Sequence, residues 1–319
     1  MTLIWSKKII KAIINNDRIK LNVWMKKNYP SLTLSHLQKL CRTGQIRING
    51  KRVSYNEPLL QNDEIKLPPF IDEYKNEPTI VVKNNTKYTQ NDIDDILKTI
   101  IYEDDEIIVL NKPAGLSAQG GTGITKHIDT LINIALPEYN NSLRLTHRID
   151  KETSGILVIA KNYDSALKIT TMFREKKIKK TYLALVYGNF DDNKKEGTIK
   201  IPILIDEEKE KSDKQNLKSA TTDYKVLDEA FGILSFVKLS PLTGRRHQLR
   251  IHMSKMGHPI IGDFKYENTN QFSKLKDSFE IEIPRKLYLH AYQIEIEGKP
   301  IITAEKPTHF EKLCKYLNF

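Results

Sequence analysis

Residues 144 to 161 read Arg-Leu-Thr-His-Arg-Ile-Asp-Lys-Glu-Thr-Ser-Gly-Ile-Leu-Val-Ile-Ala-Lys, which sets a carboxylate, Asp150, among the bases His147, Arg148 and Lys151. A carboxylate in such company is held as the anion, which suits a nucleophile better than a proton donor. A structural ion-pair network carries the same charges, so the pattern alone leaves both readings open. Behind the acid, Thr153-Ser154-Gly155 turns into the apolar run Ile156 to Ala160. Its length and β-branched content predict a buried strand, with Asp150 at the strand's mouth.

Two other segments carry chemistry-bearing side chains. Lys179 to Gly188 alternates as a strand and puts Tyr182 on the face of Ala184 and Val186. Most strand tyrosines pack, yet an aromatic face is also a platform for a nucleobase. In Ser240 to His252, Thr243-Gly244 predicts a turn into a helix that runs to about Met256 and stops at Gly257 and Pro259. Leu249, Met253 and Met256 make its apolar stripe, while Arg246 and Arg250 share another face. His247 and His252 do not fall on one helical face and have no thiol or carboxylate set beside them, so they read as structural histidines rather than metal ligands.

Rival chemistries fail on spacing. Protein kinases carry His-Arg-Asp with an Asn five residues later and a Gly-rich loop upstream. Here Ile149 intervenes and residue 155 is glycine. Gln119-Gly120-Gly121-Thr122-Gly123 allows close backbone approach to a ligand. It lacks the Gly-Lys-Ser/Thr ending of a nucleotide loop and opens no dinucleotide fingerprint.

Taken together, these segments resemble the RluA-type pseudouridine synthases. His147-Arg148-Ile149-Asp150 through Thr153-Ser154-Gly155 is similar to that family's His-Arg-Leu-Asp-x-x-Thr-Ser-Gly motif, Lys180-Thr181-Tyr182 to its Lys-x-Tyr, and Thr243-Gly244-Arg245-Arg246-His247-Gln248-Leu249-Arg250 to its Thr-Gly-Arg-Thr-His-Gln-Ile/Leu-Arg. Lys112-Pro113-Ala114-Gly115, followed by Gly-Gly-x-Gly, looks like the C-type enzymes, which act on 23S ribosomal RNA. The resemblance implies Asp150 as nucleophile, Tyr182 stacked on the target uracil and Arg250 paired with Asp150. Arg148 and Arg245 are implied as RNA contacts. Arg246 replaces the usual Thr and Gln119 a frequent His, so neither receives a role. The implied reaction exchanges the N1–C1′ bond of uridine for C5–C1′, and it needs no metal or cofactor. Asp150 attack at C1′, attack at C6, and removal of a C2′ proton all fit. A sister enzyme for transfer RNA or another rRNA site, and a silent assembly factor that only binds RNA, are the alternatives.

The supporting elements divide in two. Residues 15 to 75 form the first module. Leu21, Trp24, Met25 and then Leu34, Leu37, Leu40, Cys41 have helical spacing, Ser35 begins or caps the second helix, and Gly44 ends it. Ile46, Ile48 and Val53 flank Asn49-Gly50, a strong hairpin signal. The block, with its later Asn62-Asp63-Glu64-Ile65, resembles an S4 RNA-binding domain, Asn62 standing where Gly is usual. That resemblance implies Lys39, Arg42, Arg47, Lys51 and Arg52 as phosphate contacts. Residues 76 to 95, polar and with little periodicity, read as a linker.

Residues 96 to 319 form the catalytic domain. Strands are predicted at Ile107–Leu110, Gly155–Ala160, Thr181–Tyr187, Thr222–Leu227, Ile233–Leu239 and Lys286–Ile296, with helices near Ile128–Ala135, Asp164–Glu175 and His247–Lys255. This irregular mixture predicts an α+β fold on a mainly antiparallel sheet. Asp206 to Lys218, nearly all charged, reads as an exposed loop.

Fifty-one Lys and Arg face 40 Asp and Glu in 319 residues, a net +11 that favours a polyanionic partner. The expected partner is 23S ribosomal RNA or a ribosome assembly intermediate, met as a monomer. Two distant cysteines, Cys41 and Cys314, argue against a disulfide framework. No apolar run reaches membrane-spanning length and no secretory signal opens the chain, so a cytoplasmic setting is expected.

Overall fold

The structure, a computed structural model, describes residues 8–11, 19–75, 88–121, 124–204, 217–267 and 271–319. The chain divides into two units, Met1–Asn85 and Thr86–Phe319.

The first unit contains β1 (Lys8–Lys11), β2 (Ile19–Lys20), α1 (Leu21–Asn28), α2 (Leu34–Arg42), β3 (Arg47–Ile48), β4 (Lys51–Arg52), β5 (Pro58–Leu59) and β6 (Glu64–Leu67). A four-stranded antiparallel sheet runs in the order β1-β6-β3-β4. Leu21, Met25, Leu37, Leu40, Ile46 and Ile65 bring the helix pair and the sheet onto one core. Asn49 and Gly50 turn the hairpin with φ of 48° and 76°, the double positive φ of a type I′ turn. Asn62 takes φ 69°, a left-handed position that asparagine tolerates and that explains why it can stand in for glycine. The cap of α2 is Thr33, which accepts from the His36 amide at 3.3 Å, rather than Ser35. The unit also takes in β1, upstream of the expected boundary at residue 15, because β6 would otherwise be an open edge.

The second unit opens on α3 (Gln90–Leu97), inside the stretch read as linker. Residues 76–87 lie outside the described residues; the remainder of that stretch is largely helical. A capping box explains it: Thr89 Oγ1 accepts from the Asp92 amide, and Asp92 accepts from the Thr89 amide. Ile93 and Ile96 then have apolar partners in α4.

There follow β7 (Ile100–Glu103), β8 (Ile107–Lys112), α4 (Ile128–Ala135), β9 (Arg144–Leu145), β10 (Ser154–Ala160), α5 (Tyr163–Arg174), β11 (Lys179–Tyr187) and β12 (Glu196–Ile199). The unit continues through β13 (Ile203–Leu204), β14 (Leu217–Lys218), β15 (Thr222–Ala230), β16 (Leu234–Pro241), α6 (Gln248–Lys255) and α7 (Gln271–Asp277) to β17 (Leu289–Glu295), β18 (Ile302–Thr303) and α8 (Thr308–Leu317). Most of the expected charged loop, 205–216, lies outside the described residues; Leu217–Lys218 pairs with β13.

A ten-stranded sheet runs β12-β15-β16-β11-β17-β10-β8-β7, with β18 beside β17 and β9 beside β10. Every named pair in it is antiparallel except β10 with β17, so the α+β expectation holds. Strands β8 and β10 are covered on both faces. Ile107, Val109, Ile156 and Val158 pack toward Ile169 of α5, while Ile108, Leu110, Leu157 and Ile159 pack toward Leu131 and Ile132 of α4. Double burial is why these strands read as unbroken apolar runs.

Candidate active site

Asp150 lies in the loop from β9 to β10, and backbone contacts fix that loop closely. The Thr153 amide donates to the Asp150 carbonyl at 3.1 Å, and Ile149 is buried beneath. The Lys151 carbonyl accepts from the Gly115 amide and from the fully buried ammonium of Lys112, each at 2.9 Å. Lys112 also donates to the carbonyls of Pro113 and Leu116, so its three N–H groups are all used. At the start of β10, Gly155 has φ 104°, and a Cβ there would run into the Ala291 backbone of β17. Only glycine lets the two strands meet beside this loop.

The three neighbours of Asp150 in sequence are not its partners in space. His147 Nε2 accepts from the Val158 amide at 2.9 Å, which puts the ring proton on Nδ1. Burial, helped by the charge of Lys180, pushes this imidazole down to about 3, so it is neutral. Lys151 is exposed and lies 4.0 Å from Glu152. Arg148 is exposed at the cavity wall. The charges that face Asp150 come from α6 and its cap: Arg250 Nη1 stands 3.7 Å from Oδ2, and His247 Nε2 stands 3.9 Å from Oδ1. The expected pairing of Arg250 with Asp150 is therefore an ion pair beyond hydrogen-bond length.

Arg250 is gripped elsewhere. Asp263, buried, accepts Nε at 2.7 Å and Nη2 at 2.6 Å, a bidentate fork. The Tyr266 ring lies under the guanidinium at 5.2 Å, and its hydroxyl is 2.9 Å from His247 Nδ1. His247 itself holds a left-handed φ of 54° at the cap of α6. Burial drives it toward the neutral form, opposed by Asp150 and reinforced by Arg250 and Arg246. Gln248 ties the preceding turn down, accepting from Thr243 Oγ1 and the Arg245 amide and donating to the Thr221 carbonyl and Thr222 Oγ1.

Of the two histidines read as structural, His252 is: it is buried between Thr222 Oγ1 and the Ile201 carbonyl. His247 instead faces the carboxylate. Asp263 and Tyr266 were not singled out in the sequence. The available signal was Gly262-Asp263 after two buried isoleucines, where Gly262, at φ 74°, passes so close to the Lys286 carbonyl that no Cβ fits.

Tyr182, half-buried on β11, completes the group. Burial, with the negative charge of Asp150 adding to it, raises its phenol and keeps it protonated. Asp150, Tyr182 and Arg250 all line one cavity of about 650 Å³, with Arg148, Arg245, Arg246, His247 and Gln119 around it and Leu289 as an apolar surface. That volume suits a nucleoside. An anionic carboxylate, an aromatic ring and a rigidly held guanidinium can stack a planar base and direct a carboxylate at it.

In the first unit, Lys39, Arg42, Lys51 and Arg52 are exposed. Arg47 is half-buried and donates to the carbonyls of Gly44 at 3.2 Å and Gly50 at 3.0 Å, so it braces the hairpin. Its cross-strand partner is Arg52.

The RNA pseudouridylate synthase family profile matches residues 106–255, and that of the S4 domain residues 19–65. Ribosomal large subunit pseudouridine synthase C of Rickettsia bellii is 36% identical over 313 residues, which span 92% of this chain and 96% of that protein. The protein of the same name in Vibrio cholerae is 35% identical over 294 residues, 90% of this chain and 88% of its own. Among solved structures, human RNA Pseudouridylate Synthase Domain Containing 4 matches with a TM-score of 0.61 at 26% identity, covering 72% of this chain and 97% of that one. On this evidence the chain belongs to the RNA pseudouridylate synthase family, with an S4 domain ahead of its catalytic part.

Proposed function

We propose that this pseudouridine synthase modifies uridines of 23S ribosomal RNA, with Asp150 as its nucleophile. The observation that carries the reading is the placement of Asp150, 3.7 Å from the Arg250 guanidinium at the wall of a nucleoside-sized cavity that Tyr182 also lines. The target nucleotide leaves its stack to enter, at a cost of a few kcal/mol. Tyr182 offers a face for the uracil. Arg148, exposed beside Asp150, takes the vacated position, since a guanidinium stacks on bases and binds phosphate. Attack at C1′, attack at C6 and removal of a C2′ proton all begin from the same ionised carboxylate. In each case the N1–C1′ bond breaks, C5–C1′ forms, the C5 proton leaves and N1 gains one.

The named relatives act on the ribosomal large subunit, which supports the same substrate here, whether naked 23S RNA or an assembly particle. Lys39, Arg42, Lys51 and Arg52 of the S4 domain, with Arg245 at the cavity, bind phosphates and so position the RNA without reading its sequence. One chain supplies every group named, so the enzyme works as a monomer, in the cytoplasm where its substrate is assembled. Two measurements test this. Mapping pseudouridines in total RNA with and without the gene should show loss at defined 23S positions. On RNA containing 5-tritiated uridine, Asp150→Asn should release no tritium while still binding. Appreciable release would end the nucleophile assignment.

A further inference from the structure

Six cations line the cavity, Arg148, Arg174, Lys180, Arg245, Arg246 and Arg250, against one carboxylate, Asp150. Most have an evident use or lie in water. Arg250 is spent on Asp263, Arg245 donates to the Ser219 carbonyl, and Arg174 donates to Thr171 Oγ1. Arg148 and Arg246 are exposed. Lys180 differs from all of these: it is half-buried on β11, two residues before Tyr182, and its ammonium has no hydrogen bond or ion pair among the described residues. The aromatic groups that share the cavity with it carry no charge. The rings of Phe173 and the neutral His147 meet at a tilt, 4.6 Å apart, in the same cavity lining, and Tyr182 is a protonated phenol. Asp150 lies within ion-pair range of His247 and Arg250, not of Lys180.

We propose that Lys180 is the phosphate anchor of the cavity, its ammonium binding the phosphodiester of the nucleotide that carries the target uridine. A cation withdrawn from water without a partner lowers stability, and a methionine of similar length would fill the space without that cost. Burial already bears on the group, pulling its protonation downward. The anion that relieves it arrives with the substrate, and the anions of an RNA are its phosphates. Because the pairing forms only when a nucleotide is inside the cavity, it favours the extruded state over the stacked one. Lys180 therefore acts on base extrusion, whereas the exposed bases act on encounter. This inference rests on the reading of the cavity as the uridine site.

The test uses a synthetic stem-loop RNA carrying a mapped target uridine, with the phosphodiester on its 5′ or 3′ side replaced in turn by an uncharged methylphosphonate. Single-turnover rates are measured for the full-length enzyme and for Lys180→Met and Lys180→Arg. Lys180→Met is expected to lose about 10- to 100-fold in kcat/KM, the size of one charge-assisted contact. One of the two methylphosphonates should slow the native enzyme by a similar factor, leave Lys180→Met unaffected, and still slow Lys180→Arg. Equal penalties in native enzyme and Lys180→Met at both positions would overturn the proposal, because a merely structural lysine predicts additivity. Native enzyme indifferent to both replacements would overturn it too, even if Lys180→Met fails to fold. Asp150→Asn separates the two readings. Activity in that variant removes the cavity from the reaction, whereas an inactive variant with additive penalties sinks only the phosphate anchor.

Discussion

Asp263 takes two of the three guanidinium nitrogens of Arg250, at 2.7 and 2.6 Å, and so aims the third at Asp150, 3.7 Å away. The fork is buried, whereas Asp150 keeps about a quarter of its side-chain surface open, at 25%. The arginine is therefore fixed by one carboxylate while it faces another. We propose Asp263 as a positioning residue for Arg250.

Replacing Asp263 with Ala should leave a buried guanidinium uncompensated, at a cost of about 3–5 kcal/mol in folding stability. Asp263→Asn keeps the shape and one acceptor and should fold, yet lose at least about tenfold in kcat while KM for RNA stays near native. Denaturant unfolding and single-turnover kinetics check both. Native kcat in Asp263→Asn would show that the fork does not aim Arg250.

Lys112→Met should strand the carbonyls of Pro113 and Leu116, while that of Lys151 keeps only the Gly115 amide. Each unsatisfied group costs about 1–3 kcal/mol. The loop bearing Asp150 loses its anchor, so activity should fall further than the melting temperature alone explains. Comparing residual activity with folded fraction, well below the variant's midpoint, separates the two effects.

Acid should weaken the fold around β10 first. His147 is pushed down to about 3 and His290 to about 4, both chiefly by burial. His290 is wholly buried between Ser154 and the Ala304 carbonyl. In the unfolded chain each histidine titrates near 6.5. The folded pKa values are depressed, so this stability is fully present above about pH 6.5 and is lost as pH falls toward 4 and then 3. Denaturant midpoints from pH 7.5 to 4 should decline, and His147→Gln should flatten part of that slope.

Changing Lys39, Arg42, Lys51 and Arg52 to Gln in the full chain should weaken RNA affinity and make its salt dependence shallower by up to about 3 in log–log slope. The maximal rate at saturating RNA should hold. An unchanged slope would remove these four side chains from the RNA contact.

The carboxylate, the tyrosine and the arginine were legible because each sits in a contiguous motif whose turn or strand presents it. What surrounds them was less so. His147 and Lys151 flank Asp150 in sequence but turn away, one to the Val158 amide and one to solvent, since adjacent side chains in a loop diverge. Asp263 lies thirteen residues beyond Arg250 in irregular chain, where no periodicity links the two. Helix α3 was hidden in a polar stretch because its stabilising face is only Ile93 and Ile96, although Thr89 and Asp92 spelled its cap. In the S4 unit, Arg47 has the sequence setting of a surface base, but its hydrogen bonds to the Gly44 and Gly50 carbonyls turn it to bracing the hairpin.

The parallel pairing of β10 with β17 has a consequence for synthesis of the chain. Ser154 pairs with His290 and Gly155 with Ala291, so the strand that follows Asp150 is completed by one made more than a hundred residues later. Such a distant closure is slow and cannot be nucleated locally. A nascent chain can assemble its S4 unit early, but it has no finished cavity until β17 emerges. Affinity for RNA should therefore precede catalytic competence during translation, and a product truncated before β17 would hold RNA without converting it.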